Sequence, residues 1–410
     1  MRPLRICMVT TFYPPYNFGG DGVYVQRLAE ALARDGHEID VIHDVDAFEA
    51  LGGLMQPARE NPSIRTHPLR LGKAGKLDLL ATHQLGRPLA KRQAIDRVLG
   101  ARHDVIHFHN ISLMGGPAIL RRGTGTKICT LHDFWYVCEM HVLWKFDREA
   151  CTERSCFRCT VKGRRPPQLW RFGSAIRRSA MHVDAFLTGS EFSRRRHIEL
   201  GFPSDIQVLP LFAPDSHVQS SPFHVPGTDR RPYFLYIGRL ERLKGVENLL
   251  EVFRGYRGAD LVIAGTGTLG ESLRTSARDL DHVRFAGWLE PDELRALYAN
   301  AAAVIVPSLC YETFGLVALE AFGTRTPVIA RNIGALPEVL AAGGGMLFDS
   351  DDELPALLDR LLGDQPRRDE IGEAGFRSLQ QNYTEALHLD RYYEIIENAR
   401  DRRSHPRQLK

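Results

Sequence analysis

The chain has 410 residues, 43% hydrophobic and 25% charged, with a formal net charge of +3. That length allows two or three domains, each able to bury its own core, and the composition describes an ordinary globular protein. No apolar run approaches the ~20 residues that span a bilayer, and so small a net charge is far from a nucleic-acid signature.

The charge divides unevenly. Residues 1–212 hold 30 Lys+Arg against 21 Asp+Glu, and the remainder holds 23 against 29. An excess of nine in the first half is a mild field that suits an anionic ligand or lipid surface, which leaves peripheral membrane association open. The opening MRPLRICMVTTF has too short an apolar core for a signal peptide and reads as a strand, so a cytoplasmic location is expected.

From there, strand-like runs alternate with helical patterns, as expected of parallel α/β domains. PPYNFGG leads into the helical VYVQRLAEALARDG, closed by Gly36. Glycines at Gly19 and Gly20 would let backbone N–H groups approach an anion at the helix N-terminus; a turn needing positive φ explains them equally well. HEIDVIHD, DVIHFHN, KICTLHDFW, DAFLTGS and QVLPLF read as further strands. His107 and His109 alternate on one of them and so share a face.

Within this half, Cys138, Cys151, Cys156 and Cys159 stand apart from Cys7, Cys129 and Cys310, which sit in or beside apolar strand patterns. Four thiolates, two at a ligand-pair spacing, predict a structural zinc site. An iron–sulfur cluster, plain thiols and disulfides are the other readings, and His141 is a lesser substitute ligand. An aperiodic excursion of this length needs a staple of some kind.

Residues 213–230 lack periodicity and read as a linker. A second series follows: YFLYIGRL, a helix near 246–256, ADLVIAG, a helix near 268–279, HVRFAGWL, a helix at 291–302, AAAVIVPS, TPVIA and GGMLFD. TEALHLDRYYEIIENARD is helical, and 403–410 looks frayed. Domains are thus expected at 1–212, with a Cys-rich insert at 138–165, and at 231–384, with a last helix in 385–410. Ligands of such sheets bind beyond the carboxyl ends of the strands.

Three strand-end features in the second half could hold a diphosphate. In YIGRLERLKG, Gly238 ends a strand, and Arg239 and Lys244 follow as a planar fork and a point charge. In PSLCYETFGLVALEAFG a helix begins near TFGL, so the N–H groups of Phe314, Gly315 and Leu316 form an anion site. Glu312 precedes this helix and Glu320 lies within it, about 12 Å apart along eight residues of helix. That is the reach from a sugar across a diphosphate to a ribose, whose hydroxyls a carboxylate accepts.

Together these segments resemble the fourth family of retaining nucleotide-sugar glycosyltransferases. The resemblance rests on ETFGLVALEAFGTRTPVIA, GRLERLKG, PPYNFGG, AGTGTLG and GALPEVL, in order and over nearly the whole chain. It implies the α/β GT-B architecture, two Rossmann-like parallel-sheet domains facing across a cleft, with the last helix crossing back to the first domain. It further implies that Arg239 and Lys244 neutralise the diphosphate leaving group, Glu320 binds the ribose, and Glu312 contacts the donor sugar. Gly19, Gly20, Gly238, Gly265 and the backbone of Phe314, Gly315 and Leu316 would line the donor, and His132 in TLHDFW, at the end of a strand, would sit near the reacting sugar. His109 would lie at the acceptor pocket. No catalytic metal is expected, and the acceptor is a glycan, a lipid-linked molecule or a small molecule.

Two motifs compete with this reading. Gly265, Gly267 and Gly270 form G-x-G-x-x-G with Glu290 twenty residues on, formally the fingerprint of an NAD-dependent oxidoreductase; yet Glu290 reads better as the lead into a helix at Pro291. Asp44-Val-Asp46 resembles a metal-binding Asp-x-Asp, but after the second strand the pair is expected to be solvated. A catalytically silent sugar-nucleotide binder is the third class.

Overall fold

The computed structural model describes residues 2–53, 55, 61–213 and 231–404. Residues 214–230 of the expected linker, and 405–410 of the expected frayed end, lie outside the described residues. The chain divides into two compact units: Met1–Phe146, Glu153–Leu209 and His388–Lys410 form one, and Asp147–Thr152 and Pro210–Leu387 the other.

The first unit is built on seven strands: β1 (Arg5–Val9), β2 (Glu38–Asp44), β3 (Ile64–Leu69), β4 (Val105–Phe108), β5 (Thr126–Thr130), β8 (Ala185–Thr188) and β9 (Ile206–Val208). Two-residue strands β6 (Trp144–Lys145) and β7 (Glu149–Ala150) fall in the cysteine-bearing segment. The sheet order is β3-β2-β1-β4-β5-β8-β9, and its pairs are parallel. Helices cover both faces of such a sheet, so its strands are continuously apolar: Ile6, Cys7, Met8 and Val9 are wholly buried. Strand order reverses between β1 and β4, and the loops after those two strands flank the switch point where α/β sheets bind ligands.

The second unit repeats the plan with β10 (Tyr233–Ile237), β11 (Asp260–Ala264), β12 (Val283–Gly287), β13 (Ala303–Val306), β14 (Val328–Arg331) and β15 (Gly345–Phe348). Its parallel order is β12-β11-β10-β13-β14-β15. Here the reversal falls between β10 and β13, and the loops after them carry Arg239, Lys244 and Glu312. Glu290 caps the helix Pro291–Asn300 through a reciprocal box with Glu293.

Periodicity did not reveal β3, or the helices Gly75–Leu85, Arg92–Leu99, Leu354–Gly363 and Gln365–Asn382. β3 contains Pro68 and is half-exposed, which an edge strand tolerates and a central one does not.

Asp44 and Asp46 are not solvated: they are 0% and 3% exposed. Lys91 Nζ lies 2.6 and 2.7 Å from the two Asp44 oxygens and 2.9 Å from Asp46. Asp44 also caps the helix Val45–Ala50 by accepting from Ala47 N, and Asp46 accepts from the amides of Leu71 and Gly72. One internal cation and three amides thus compensate the buried charges, as burial requires. Burial outweighs Lys91 at Asp44 and pushes its carboxyl up to about 6. Lys91→Met should leave two buried carboxylates without their cation and cost about 3 kcal/mol, read as a lower urea midpoint at unchanged slope; a midpoint equal to wild type would show that the triad does not hold this corner of the sheet.

Candidate active site

In the second unit the loop after β10 is held on two sides. Towards β11, Leu240 N donates to Thr266 O at 2.9 Å and Leu269 N to Leu240 O at 2.9 Å. A Cβ on Gly265 would lie 2.0 Å from Gly238 O, and one on Gly267 2.5 Å from Leu240 O. The glycines of the dinucleotide-like pattern are therefore spent on close packing of two loops. Towards β13, Leu309 N and Cys310 N both donate to Leu243 O. Gly245 sits at φ +71°, where a Cβ would lie 2.1 Å from Pro307 O.

This interlock sets Lys244 against Glu312, Nζ to Oε1 2.6 Å. Ser308 Oγ donates to the same oxygen at 2.5 Å, and Ala335 N donates to Glu312 O at 2.9 Å. Burial raises the Glu312 carboxyl, but Lys244 and Ser308 outweigh it and hold the group below its ordinary range. Burial likewise lowers the Lys244 ammonium and Glu312 raises it further, so its net direction is upward. Both are charged at neutral pH, and both remain about one-fifth exposed. Arg239 is half-exposed and bonded to Glu241 at 2.8 Å.

The helix following Glu312 runs Leu316–Gly323, with Gly315 as its cap at φ +119°. Phe314 is buried edge-on to Tyr383, so that residue offers its backbone rather than its ring. Glu320 Oε2 accepts from Tyr298 OH at 2.9 Å. Ser308, Tyr298 and Glu241 were missed by the sequence reading: Ser308 stands four residues before Glu312 and Glu241 two after Arg239, close enough to have been found, whereas Tyr298 meets Glu320 from a separate helix, 22 positions away.

In the first unit His132 follows β5, and its Nε2 lies 2.9 Å from His109 Nδ1. His109 is 2% exposed, so the residue expected at an acceptor pocket stands in the interior beside His132. The His107 and His109 rings are 3.9 Å apart, and His107 bridges Thr130 Oγ1 at 2.8 Å and Tyr392 OH at 2.9 Å. Tyr24 OH and His388 Nε2 are 2.9 Å apart, and the Tyr24 ring packs edge-on to His132. Burial, then neighbouring histidines, lower the His107 and His109 imidazoles well below the ordinary value. Gly19 caps the helix Gly20–Arg34 in an extended conformation, with open space where a Cβ would stand. No positive φ is needed there. Gly22 is the close approach, where a Cβ would meet Asn17 Oδ1 at 2.3 Å.

Zinc at Cys138, Cys151, Cys156 and Cys159 is not confirmed by the geometry. Among the described residues no group of three or more His, Cys, Asp or Glu is placed to hold a metal ion. Cys156 and Cys159 share the helix Cys156–Lys162, Cys159 Sγ accepts from Phe146 N, and His141 bonds Asp133 at 2.9 Å. Arg171 supplies a staple. Its guanidinium lies 5.2 Å from the Trp135 ring centroid and 4.7 Å from that of Trp170, and it donates to Trp135 O at 2.6 Å. Glu139, also buried, accepts from Gln168 N.

Two family models match the chain: "Glycosyltransferase Family 4" over residues 18–217 and "Glycosyl transferases group 1" over 221–378. The D-inositol 3-phosphate glycosyltransferase of Corynebacterium diphtheriae is 32% identical, over 97% of this chain and 96% of its own. The chain belongs to glycosyltransferase family four. The family-four chain is also 30% identical to the glycogen synthase of Mycobacterium tuberculosis H37Rv, over 83% of the one and 81% of the other. In fold it matches sucrose-phosphate synthase from Thermosynechococcus elongatus (TM-score 0.72, 20% identity, 97% and 100% of the chains). It also matches Anabaena Alr3699/HepE in complex with UDP-glucose (TM-score 0.66, 16% identity, 96% and 99%). The family-four chain is a GT-B nucleotide-sugar glycosyltransferase, and the oxidoreductase reading of Gly265–Gly270 is not favoured.

Two outcomes follow from this geometry. Gly245→Ala places a side chain at positive φ against Pro307 O, which should cost about 1–3 kcal/mol and, by displacing Lys244, lower kcat/KM by about a hundredfold; undiminished turnover would show that the loop tolerates slack. The lowered histidines bind fewer protons folded than unfolded, so stability should fall as pH drops below about 6.5. His107→Gln keeps both hydrogen-bond partners and should flatten the decline of Tm between pH 7 and 5; an unchanged slope would place the proton uptake elsewhere.

Proposed function

We propose that the enzyme is a metal-independent, retaining transferase whose second unit grips a nucleoside diphosphate-sugar and whose first unit takes the acceptor. The observation that carries this reading is the Lys244–Glu312 contact of 2.6 Å, which brings a strand-end cation and the approach to a helix N-terminus onto one spot. Arg239 and Lys244 neutralise the departing diphosphate, and the N–H groups around Gly315 add donors aimed at the same charge, the electrostatic work a metal ion would otherwise do. Glu312 gives Oε1 to Lys244 and Ser308, leaving Oε2 for a sugar hydroxyl. Glu320 accepts from the ribose hydroxyls, and Tyr298 orients it.

Retention follows when the acceptor enters on the face the diphosphate leaves, within a tight ion pair, so no protein nucleophile is required. His132, kept neutral, hydrogen-bonds a hydroxyl of the donor sugar or orients the acceptor, and His109 fixes its ring. A cytoplasmic setting agrees with an absence of disulfides among the described residues.

Nucleotide-sugar panels with thermal-shift readout should show stabilisation by the cognate nucleoside diphosphate. Glu320→Ala should weaken that binding about tenfold, and Arg239→Ala or Lys244→Ala should lower kcat/KM by about 10²–10³, with proton NMR of the product showing the donor's anomeric configuration. Wild-type rates in the cation variants would reject the diphosphate clamp, an inverted anomer would reject retention, and binding without turnover would point to a silent binder.

A further inference from the structure

Between Glu153 and Asp184 the chain runs thirty residues without an acid and with eight arginines or lysines. This stretch includes the later part of the cysteine-bearing segment, and it exposes both charge and apolar bulk. On the helix Cys156–Lys162, Phe157 and Val161 stand one turn apart and are 59% and 53% exposed; Lys162, Arg164 and Arg165 beside them are exposed too. Phe172, farther on, is 71% exposed.

The same surface continues onto the helix Gly75–Leu85. Gln84 Nε2 donates to Pro166 O at 3.3 Å, and Trp170 Nε1 to His83 O at 2.9 Å, which joins that helix to the residues following Arg165. One face of it presents Leu77 and Leu80, 73% and 53% exposed, with Lys73 and Lys76 alongside. Its single acid, Asp78, is turned inward and accepts from Ala90 N at 2.8 Å. An outer helix face with leucines at i and i+3, lysines around them and its carboxylate buried reverses the usual arrangement of a surface helix.

We propose that this face of the first unit docks on an anionic lipid bilayer. Charge complementarity selects that partner: residues 154–183 carry no acid and the helix Gly75–Leu85 turns its one acid inward, and cations near a bilayer each contribute to attraction by anionic headgroups. Single protruding apolar side chains among the cations suit shallow insertion at the headgroup boundary, whereas a protein partner is served by a contiguous apolar centre with a polar rim. Among the described residues no helix is long and apolar enough to cross a membrane, so attachment is peripheral. The inference does not depend on how the donor is bound.

The full chain should co-sediment with phosphatidylglycerol/phosphatidylcholine vesicles and not with phosphatidylcholine alone, and about 0.5 M salt should release it. Reversing two charges (Arg164→Glu with Arg165→Glu) should weaken vesicle binding at least tenfold. Phe157→Ser with Leu77→Ser should weaken it several-fold, with an unchanged Tm showing that each variant is folded. Failure to bind anionic vesicles, or wild-type binding by either pair, overturns the proposal. So does undiminished binding to neutral vesicles, and so does capture by a protein partner that the charge reversal leaves intact.

Discussion

A lysine and a glutamate 68 positions apart share one hydrogen bond at the switch point of the second sheet, and the proposed donor site depends on that contact being kept. Neither group is deep enough to be dry, nor open enough to be fully solvated, so the pair carries a desolvation cost that mutual attraction and Ser308 offset. An ion pair of this kind is poor value as a fastener. Under the proposed function its use lies in fixing a cation where a diphosphate would be met, with the carboxylate held in place by Lys244 and Ser308. The backbone provides the rigidity: the loop after β10 is tied to Thr266 and Leu269 on one side and to Leu309 and Cys310 on the other. Gly245, Gly265 and Gly267 are small because a neighbouring carbonyl occupies the place of each missing Cβ.

The first unit meets its own switch point with a different device. His107, His109, His132 and His388, with Tyr24 and Tyr392, share hydrogen bonds and ring contacts at the ends of β4 and β5 and along the terminal helix. Burying several imidazoles together is tolerable only if they stay neutral, and neutral rings have one donor and one acceptor each, so the chain of contacts has a direction. His132 takes its orientation from this chain instead of from solvent. A residue whose support is buried and uncharged does not relax when a charge approaches, the kind of preorganisation that the role proposed for His132 would require.

What the sequence made legible was whatever is local. Gly238 with Arg239, Lys244 with its following glycine, and the glycine-capped helix at Gly315 are each readable within a dozen residues, because strand ends and helix starts impose their chemistry on adjacent positions. The alternation of the two halves was readable for the same reason. Partnerships were not: Tyr24 meets His388 across 364 positions and Lys91 meets Asp44 across 47, and no periodicity encodes such meetings. The edge strand β3 escaped because proline breaks its pattern, and the helix Gly75–Leu85 because leucines on it face outward; the helix Arg92–Leu99, with Ile95 and Leu99 buried, is too short for its period to stand out. The cysteine spacing is the opposite case, legible in the sequence but not confirmed as a metal group among the described residues. A ligand-like interval is local, but four ligands must converge in space, and the segment that needed a staple found one in an arginine between two tryptophans.

Asp44-Val-Asp46 illustrates how much a motif leaves to its surroundings. Two carboxylates one residue apart, placed after a strand, are a cation-binding arrangement, and in this chain they do bind a cation, the ammonium of Lys91. The physical requirement is the same whether the charge is an ion from solution or a side chain at the start of a later helix: buried carboxylates need compensation that bulk water cannot supply. Because the compensation is built in, the pair is fixed to the fold and unavailable to a ligand. Under the proposed function the donor's diphosphate meets its positive charge at Arg239 and Lys244, the strand-end cations of the second unit.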